Sequence, residues 1–360
     1  MVVAQCPAPA KATVTPRHAC GAISADLLRR RPRVLGQLAL GVVVRLLLGP
    51  RALVFLLCGV PETAPQEGSR QILVYDTKAQ RFYQHHLQLP EERVLASVGF
   101  SGGKVVIVGG MGKSSGDVVA STLRLTSAER FEAGAPPMHD KLVGQAHVVL
   151  GDDLYTCGGT DADLAEGTKA CQIYSFAYDQ WRTGIGMNDA TFNSAAVTDN
   201  DTNIYVLGGI SQGRPTLKVQ RYLTDVGEWI RIEDLPTSLL ANKAAAVYLD
   251  SSKEILACAS VSAFPSRTIK CALYSVAERG WTELDELLPA GQERDVPDAL
   301  QMIECGGGEV LLFGNYGESS APGGTVKGAF KYDKATRKLT AVDAPLKKEY
   351  AVRFPALVCA

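Results

Sequence analysis

The sequence predicts an all-β protein built from six copies of one strand-rich unit of about fifty residues, and three periodic observations carry that prediction. The first is an aromatic pair seven residues apart, at Tyr75/Phe82, Tyr174/Trp181, Tyr222/Trp229 and Tyr274/Trp281, with degenerate copies at Arg124/Phe131 and Tyr332/Leu339. The second members of these pairs recur at intervals of 49, 50, 48, 52 and 58 residues. Next comes a glycine pair that ends an apolar run. It is intact at Gly109–Gly110, Gly158–Gly159 and Gly208–Gly209, and decays to Cys58–Gly59, Ala259–Ser260 and Gly314–Asn315. Last, a proline or methionine closes each copy, at Pro90, Pro137, Met187, Pro236, Pro289 and Pro345.

Each unit reads as four strands. The runs that stop at the glycine pair, Ala52–Leu57, Val105–Val108, Leu154–Cys157, Ile204–Leu207, Ile255–Cys258 and Val310–Phe313, are the second strands. Five of them follow a tight polar turn, such as Gly102–Gly103 or Asp250–Lys253, of the kind that hairpins with positive φ require. Those turns lead back to first strands such as Arg93–Phe100 and Leu142–Leu150. The tyrosine sits on the third strand and its partner on the fourth. Glycine after a buried strand permits positive φ and close backbone approach. The aromatics suit the seams between units, where a large flat side chain buries much apolar area. These residues specify a fold and carry no chemistry.

The order of apolar strand, diglycine, tyrosine and tryptophan resembles the kelch motif, over residues 51–360. That resemblance implies a six-bladed β-propeller with four strands per blade. The expected organisation is residues 1–50 as an N-terminal extension, partly disordered or helical, and residues 51–360 as the kelch-type propeller. The chain ends on Arg353-Phe354-Pro355-Ala356-Leu357-Val358-Cys359, which by position is a first strand with no second strand after it. The first unit begins at its second strand, so the C-terminal strand is expected to complete it and remove exposed edges. Leu40–Leu48 is the rival donor of that strand.

Charge is unevenly spread. Residues 1–60 hold eight Lys and Arg against Asp26 alone, a net +7, which leaves −8 on the remainder of a chain totalling −1. A mildly acidic propeller excludes the basic face that nucleic-acid binding needs. The run Arg29–Arg33 before an apolar stretch leaves three readings open for the extension: cytosolic segment or remnant of a helical domain, mitochondrial presequence, and secretory signal or anchor. The apolar stretch is broken by Gln37, Arg45 and Pro50, so no membrane span is expected and the location is read as cytoplasmic.

No constellation for catalysis stands out. Nine cysteines contain no Cys-x-x-Cys, and the five histidines (His18, His85, His86, His139 and His147) form no HExxH, so neither metal nor cofactor is expected. Cys157 and Cys171 occupy the same repeat positions as Cys258 and Cys271, on neighbouring strands. The odd count and the weak leader signal favour free buried thiols over two bridges.

What remains is surface. Loops entering the first strands and loops following the diglycines gather on one face of a propeller, and variable loops on a repeated scaffold are where binding resides. The candidate partner-binding residues are Arg93, Lys141, Asn188, Arg214, Lys243, Arg294 and Arg353. The resemblance to kelch-like proteins, whose BTB and BACK domains often precede the propeller, implies a non-enzymatic scaffold that binds a protein, with a substrate-recognition role in a ubiquitin ligase as its finer form. The alternative is a carbohydrate-active enzyme such as a sugar mutarotase, expected to be secreted and to have both cysteine pairs oxidised.

Overall fold

The computed structural model describes residues 53–57, 60–61, 70–112, 115–125, 130–161, 166–263, 266–285, 287, 299–305, 308–315, 325–327, 329–342, 345–347, 352–353 and 356–359. The expectations for residues 1–50 lie outside them. Six four-stranded antiparallel sheets make up the molecule, each a blade ordered from inner to outer strand. Blade 2 runs Ser97–Ser101, Lys104–Val108, Thr122–Leu125 and Phe131–Ala135. Blade 3 follows with Ala146–Leu150, Asp153–Cys157, Cys171–Ser175 and Gln180–Thr183. Blade 4 is Ala195–Thr198, Asn203–Leu207, Val219–Leu223 and Glu228–Arg231. In blade 5, Ala244–Leu249 precedes the long strands Glu254–Ala263 and Ser266–Ser275, then Gly280–Leu284. Blade 6 comprises Ala299–Cys305, Glu309–Asn315, Ala329–Asp333 and Lys338–Ala341. The one described helical turn is a 3-10 turn at Thr237–Leu239.

Blade 1 draws on both ends of the sequence. Its inner strand is Ala356–Cys359, paired antiparallel with Leu53–Leu57, which pairs in turn with Gln71–Asp76 and then Arg81–Gln88. The C-terminal strand therefore closes the ring. Closure leaves no blade short of an inner strand, and Leu53–Leu57 is paired on both sides.

Burial explains why six such sheets cohere. The apolar residues segregate into six clusters, and each cluster fills one seam between consecutive blades. The closing seam, between blades 6 and 1, is as well filled as the rest, by Val54, Leu56, Tyr75, Leu311 and Phe313. The aromatic pairs sit directly opposite each other on third and outer strands, with ring centroids 4.9 to 5.3 Å apart. Each tryptophan also donates its indole N–H backwards to a carbonyl of the preceding blade's loop: Trp181 to Pro136 at 3.0 Å, Trp229 to Ile185 at 2.8 Å and Trp281 to Glu233 at 3.2 Å. The indole is thus apolar wedge and polar tether together.

Two expectations are corrected here. In blade 2 a register shift between Thr122 and Leu123 places Phe131 opposite Leu125, while Arg124 faces Glu132, so Arg124 and Phe131 are not a pair. Arg124 instead reaches the next blade, where its Nη1 lies 2.7 Å from Asp179 Oδ2. The expected free thiols are disulfides: Cys157–Cys171, Cys258–Cys271 and Cys305–Cys359. Register explains the first two, because second and third strands set Cys157 opposite Cys171 and Cys258 opposite Cys271. The third joins the inner strand of blade 6 to the closing strand of blade 1.

Candidate functional site

At one end of the ring, loops that enter the inner strands meet loops that follow the glycine pairs. Backbone bridges join them in blades 2 to 4, at Val94–Met111, Val143–Thr160 and Phe192–Ile210, each by two hydrogen bonds of 2.8 to 3.0 Å. The glycines make this possible. A Cβ on Gly158 would stand 2.3 Å from the Thr191 carbonyl oxygen, and one on Gly209 would stand 2.5 Å from that of Phe192. Gly209 also has φ +89, open to glycine and costly for other residues. Inside this rim, the equivalent residues Leu95, Gly144 and Asn193 all take left-handed φ, at 54, 66 and 55°. They pass hydrogen bonds from blade to blade: Gly144 N–H donates to Leu95 O at 3.2 Å, and Asn193 N–H to Gly144 O at 2.7 Å. The position equivalent to them in blade 5 is Lys243.

These residues surround the mouth of a central channel walled by the inner strands. It holds a cavity of about 450 Å³. Most of the wall is apolar or neutral, but Lys243, His147 and Glu304 line it as well. Removal from water pushes the Lys243 ammonium down to about 8. Its side chain is only part-buried by surface area, yet the channel walls surround it and withdraw solvent. Among the described residues it has no ion-pair partner. Burial likewise pushes His147 down to about 4, and the nearby Lys243 charge acts in the same direction. The imidazole is therefore neutral around pH 7. Glu304 stands at the far end and accepts from Lys334 Nζ at 2.7 Å. Among the described residues no three His, Cys, Asp or Glu side chains converge as metal ligands would.

The sequence-chosen contact residues scatter across different environments. Arg93 is not a surface contact: it is fully buried. Its guanidinium donates to Gly109 O at 3.0 Å, Ser121 O at 2.8 Å and Ser121 Oγ at 2.6 Å, and pairs with Glu91. It is a clamp between the inner loop and the glycine turn of blade 2, its charge matched at every donor. Asn188 is exposed but uses its amide internally, donating to Trp229 O at 2.7 Å. Its neighbour Asp189 binds Lys218 Nζ at 2.7 Å and both Nε and Nη2 of Arg231. Burial alone would raise the Asp189 carboxyl, but these hydrogen bonds hold it below its ordinary value. Lys141 and Arg214 are exposed on the loop end. Lys243 belongs to the channel. Arg294 lies outside the described residues; the backbone of Arg353 pairs with Val60, and its side chain lies outside them too. His147 was singled out in the sequence only as a lone histidine, and Gln145 and Glu304 not at all. No motif marks them, because only the closed ring brings blades 3, 5 and 6 around one axis.

No helix among the described residues is long and apolar enough to cross a membrane. No family model matches the sequence. Over 86 residues, 24% of this chain, it is 31% identical to Kelch-like protein 23 of Homo sapiens. Identity to the Pongo abelii and Mus musculus proteins of that name is 30% and 29% over the same length. The matched stretch spans 15% of the length of these relatives. Diglycine turns, opposed aromatic pairs, six closed blades and these relatives agree: the chain is a six-bladed β-propeller of the kelch type.

Proposed function

We propose that the protein is a non-catalytic scaffold that holds a protein partner on the loop end of its ring. The observation that supports this reading is the bridged rim, which fixes loops of blades 2 to 4 in one frame and leaves Lys141 and Arg214 exposed there. Loops held by a rigid scaffold can present side chains to a partner without a large ordering cost. Arg294 and Arg353 join them in the proposed face. Arginine is favoured because it is enriched among residues that dominate interface energy, and an acidic partner surface is its complement. The finer form is the substrate-reading part of a ubiquitin ligase, a role carried by resemblance to kelch-like proteins.

The test is affinity capture from cell extract with the wild-type chain and with the variant Lys141→Glu/Arg214→Glu. The variant is expected to melt like the parent, since exposed charges contribute under about 1 kcal/mol each, and to lose the captured partner. Equal recovery of the partner by both chains removes the loop end from consideration.

The disulfides favour a second reading. Three bridges suit an oxidising compartment rather than the cytoplasm, and a secreted carbohydrate-active enzyme such as a sugar mutarotase fits there. Anomer exchange followed by NMR on a panel of free sugars tests it, acceleration over buffer supporting the enzyme. Alkylation of the unreduced, denatured protein tests the compartment: Cys157, Cys171, Cys258, Cys271, Cys305 and Cys359 are expected to be blocked until reduction.

A further inference from the structure

The central channel contains an unbalanced charge. Lys243 brings an ammonium into it with no acid opposite among the described residues, and leaving a cation half-desolvated and unpaired is costly. The other described ionisable groups on the wall do not relieve it. His147, on the inner strand of blade 3, is neutral at pH 7. Glu304, on that of blade 6, is taken by Lys334. The described lining residues from blades 2 and 4 are uncharged, and Cys359 of blade 1 is in a disulfide. Gln145 also lines the cavity and is only 6% exposed, but its amide Nε2 is shut away from the open space.

We propose that the channel is a binding site for a small organic anion, its carboxylate on Lys243 and its apolar body along the wall. Charge selects the sign, because the unpaired group is a cation. The wall selects an organic body over a bare inorganic ion: Val98, Ala196, Ala246 and Met302 line the cavity at equivalent positions of four inner strands. The volume of about 450 Å³ falls within the roughly 300–1,000 Å³ of small-molecule sites. The site lies inside the ring and is independent of a protein partner on the rim.

Isothermal titration of the full chain with benzoate and octanoate, against benzamide and octanamide as uncharged matches, is the direct experiment. At least one carboxylate is expected to bind at millimolar concentration or below, with its amide about tenfold weaker or worse. Lys243→Met is expected to lose that binding while melting no lower than the parent, since it removes an unpaired buried charge; Lys243→Arg is expected to retain it. Affinity should fall as pH rises through about 8, where the ammonium deprotonates. The rim variant Lys141→Glu/Arg214→Glu should bind the probe unchanged, which separates this site from the partner face. No binding by either carboxylate, or equal binding by Lys243→Met, overturns the proposal and leaves the channel to water.

Discussion

Blades 4 and 5 solve the same problem in opposite ways. In blade 4 the second strand stops at Leu207, and Gly208 and Gly209 turn the chain at φ +59 and +89 back onto Phe192 of the inner-strand loop. In blade 5 the equivalent residues are Ala259 and Ser260, and the strand does not turn. It runs on to Ala263, paired with the third strand as far as Ser266. The inner strand stops at Ala244 opposite Ala259, and the outer strand at Leu284 opposite Cys271, so the pairs from Ser260–Ile269 to Ala263–Ser266 extend past both neighbouring strands. The Cys258–Cys271 disulfide crosses the hairpin at the level where it leaves the blade. The diglycine, then, is not what makes a blade. In blades 2 to 4 it folds the following loop down onto the rim, and blade 5, with Ala259 and Ser260 in its place, grows an arm.

Trp229→Ala in blade 4 is expected to have the largest effect, about 3–5 kcal/mol, because the indole is 5% exposed and fills the seam with blade 3. The same change at Trp281, which is only part-buried, should cost less, and chemical denaturation of both variants measures the gap. Gly209→Val should cost about 3 kcal/mol through forced φ and the clash with Phe192 O. If it unfolds no more easily than Ala259→Gly, the role assigned to the diglycine is wrong. Removing the disulfide by Cys258→Ala/Cys271→Ala should cost about 3 kcal/mol for a closed loop of this length, and should raise amide exchange first in the arm. Ala259→Gly should cost only about 0.5–1 kcal/mol, as glycine in a strand loses more entropy without creating a turn by itself.

The last expected effect appears only in acid. Blades 4 and 5 carry Ala196 and Ala246 where blade 3 carries His147. With the folded imidazole at about 4 and an ordinary value of 6.5, the unfolded chain binds more protons between those limits. Stability should therefore fall as pH drops from 6.5 towards 4, with no contribution above 6.5. His147→Ala, which gives blade 3 the alanine of its neighbours, should flatten that slope in melting curves taken across the window.

The repeat made most of this fold legible before any coordinates. Second strands, the intact aromatic pairs and C-terminal closure all follow from local pattern and position, although the second strand of blade 5 runs five residues past its expected end at Cys258. The failures share a different cause. Arg93 reads as a loop arginine because nothing in its own segment shows that Gly109 and Ser121 will surround it. Cys305 and Cys359 lie 54 residues apart and become neighbours only when the ring shuts. Lys243 reads as one more rim charge, and only the assembled axis makes it a channel residue. Pattern along the chain reports what each blade is made of; what faces the axis depends on all six at once.

The Cys305–Cys359 bridge changes how the ring bears a load. Tension applied at the C-terminus would otherwise peel a four-residue strand from blade 1, one hydrogen bond after another. With the bridge in place the force passes through a covalent bond into the inner strand of blade 6, and the seam is loaded across both blades together. The second, third and outer strands of blade 6 all lie within the loop that the bridge closes. A protease that cuts once anywhere in that loop leaves the two pieces tied, so the nicked ring keeps its closing strand until the disulfide is reduced.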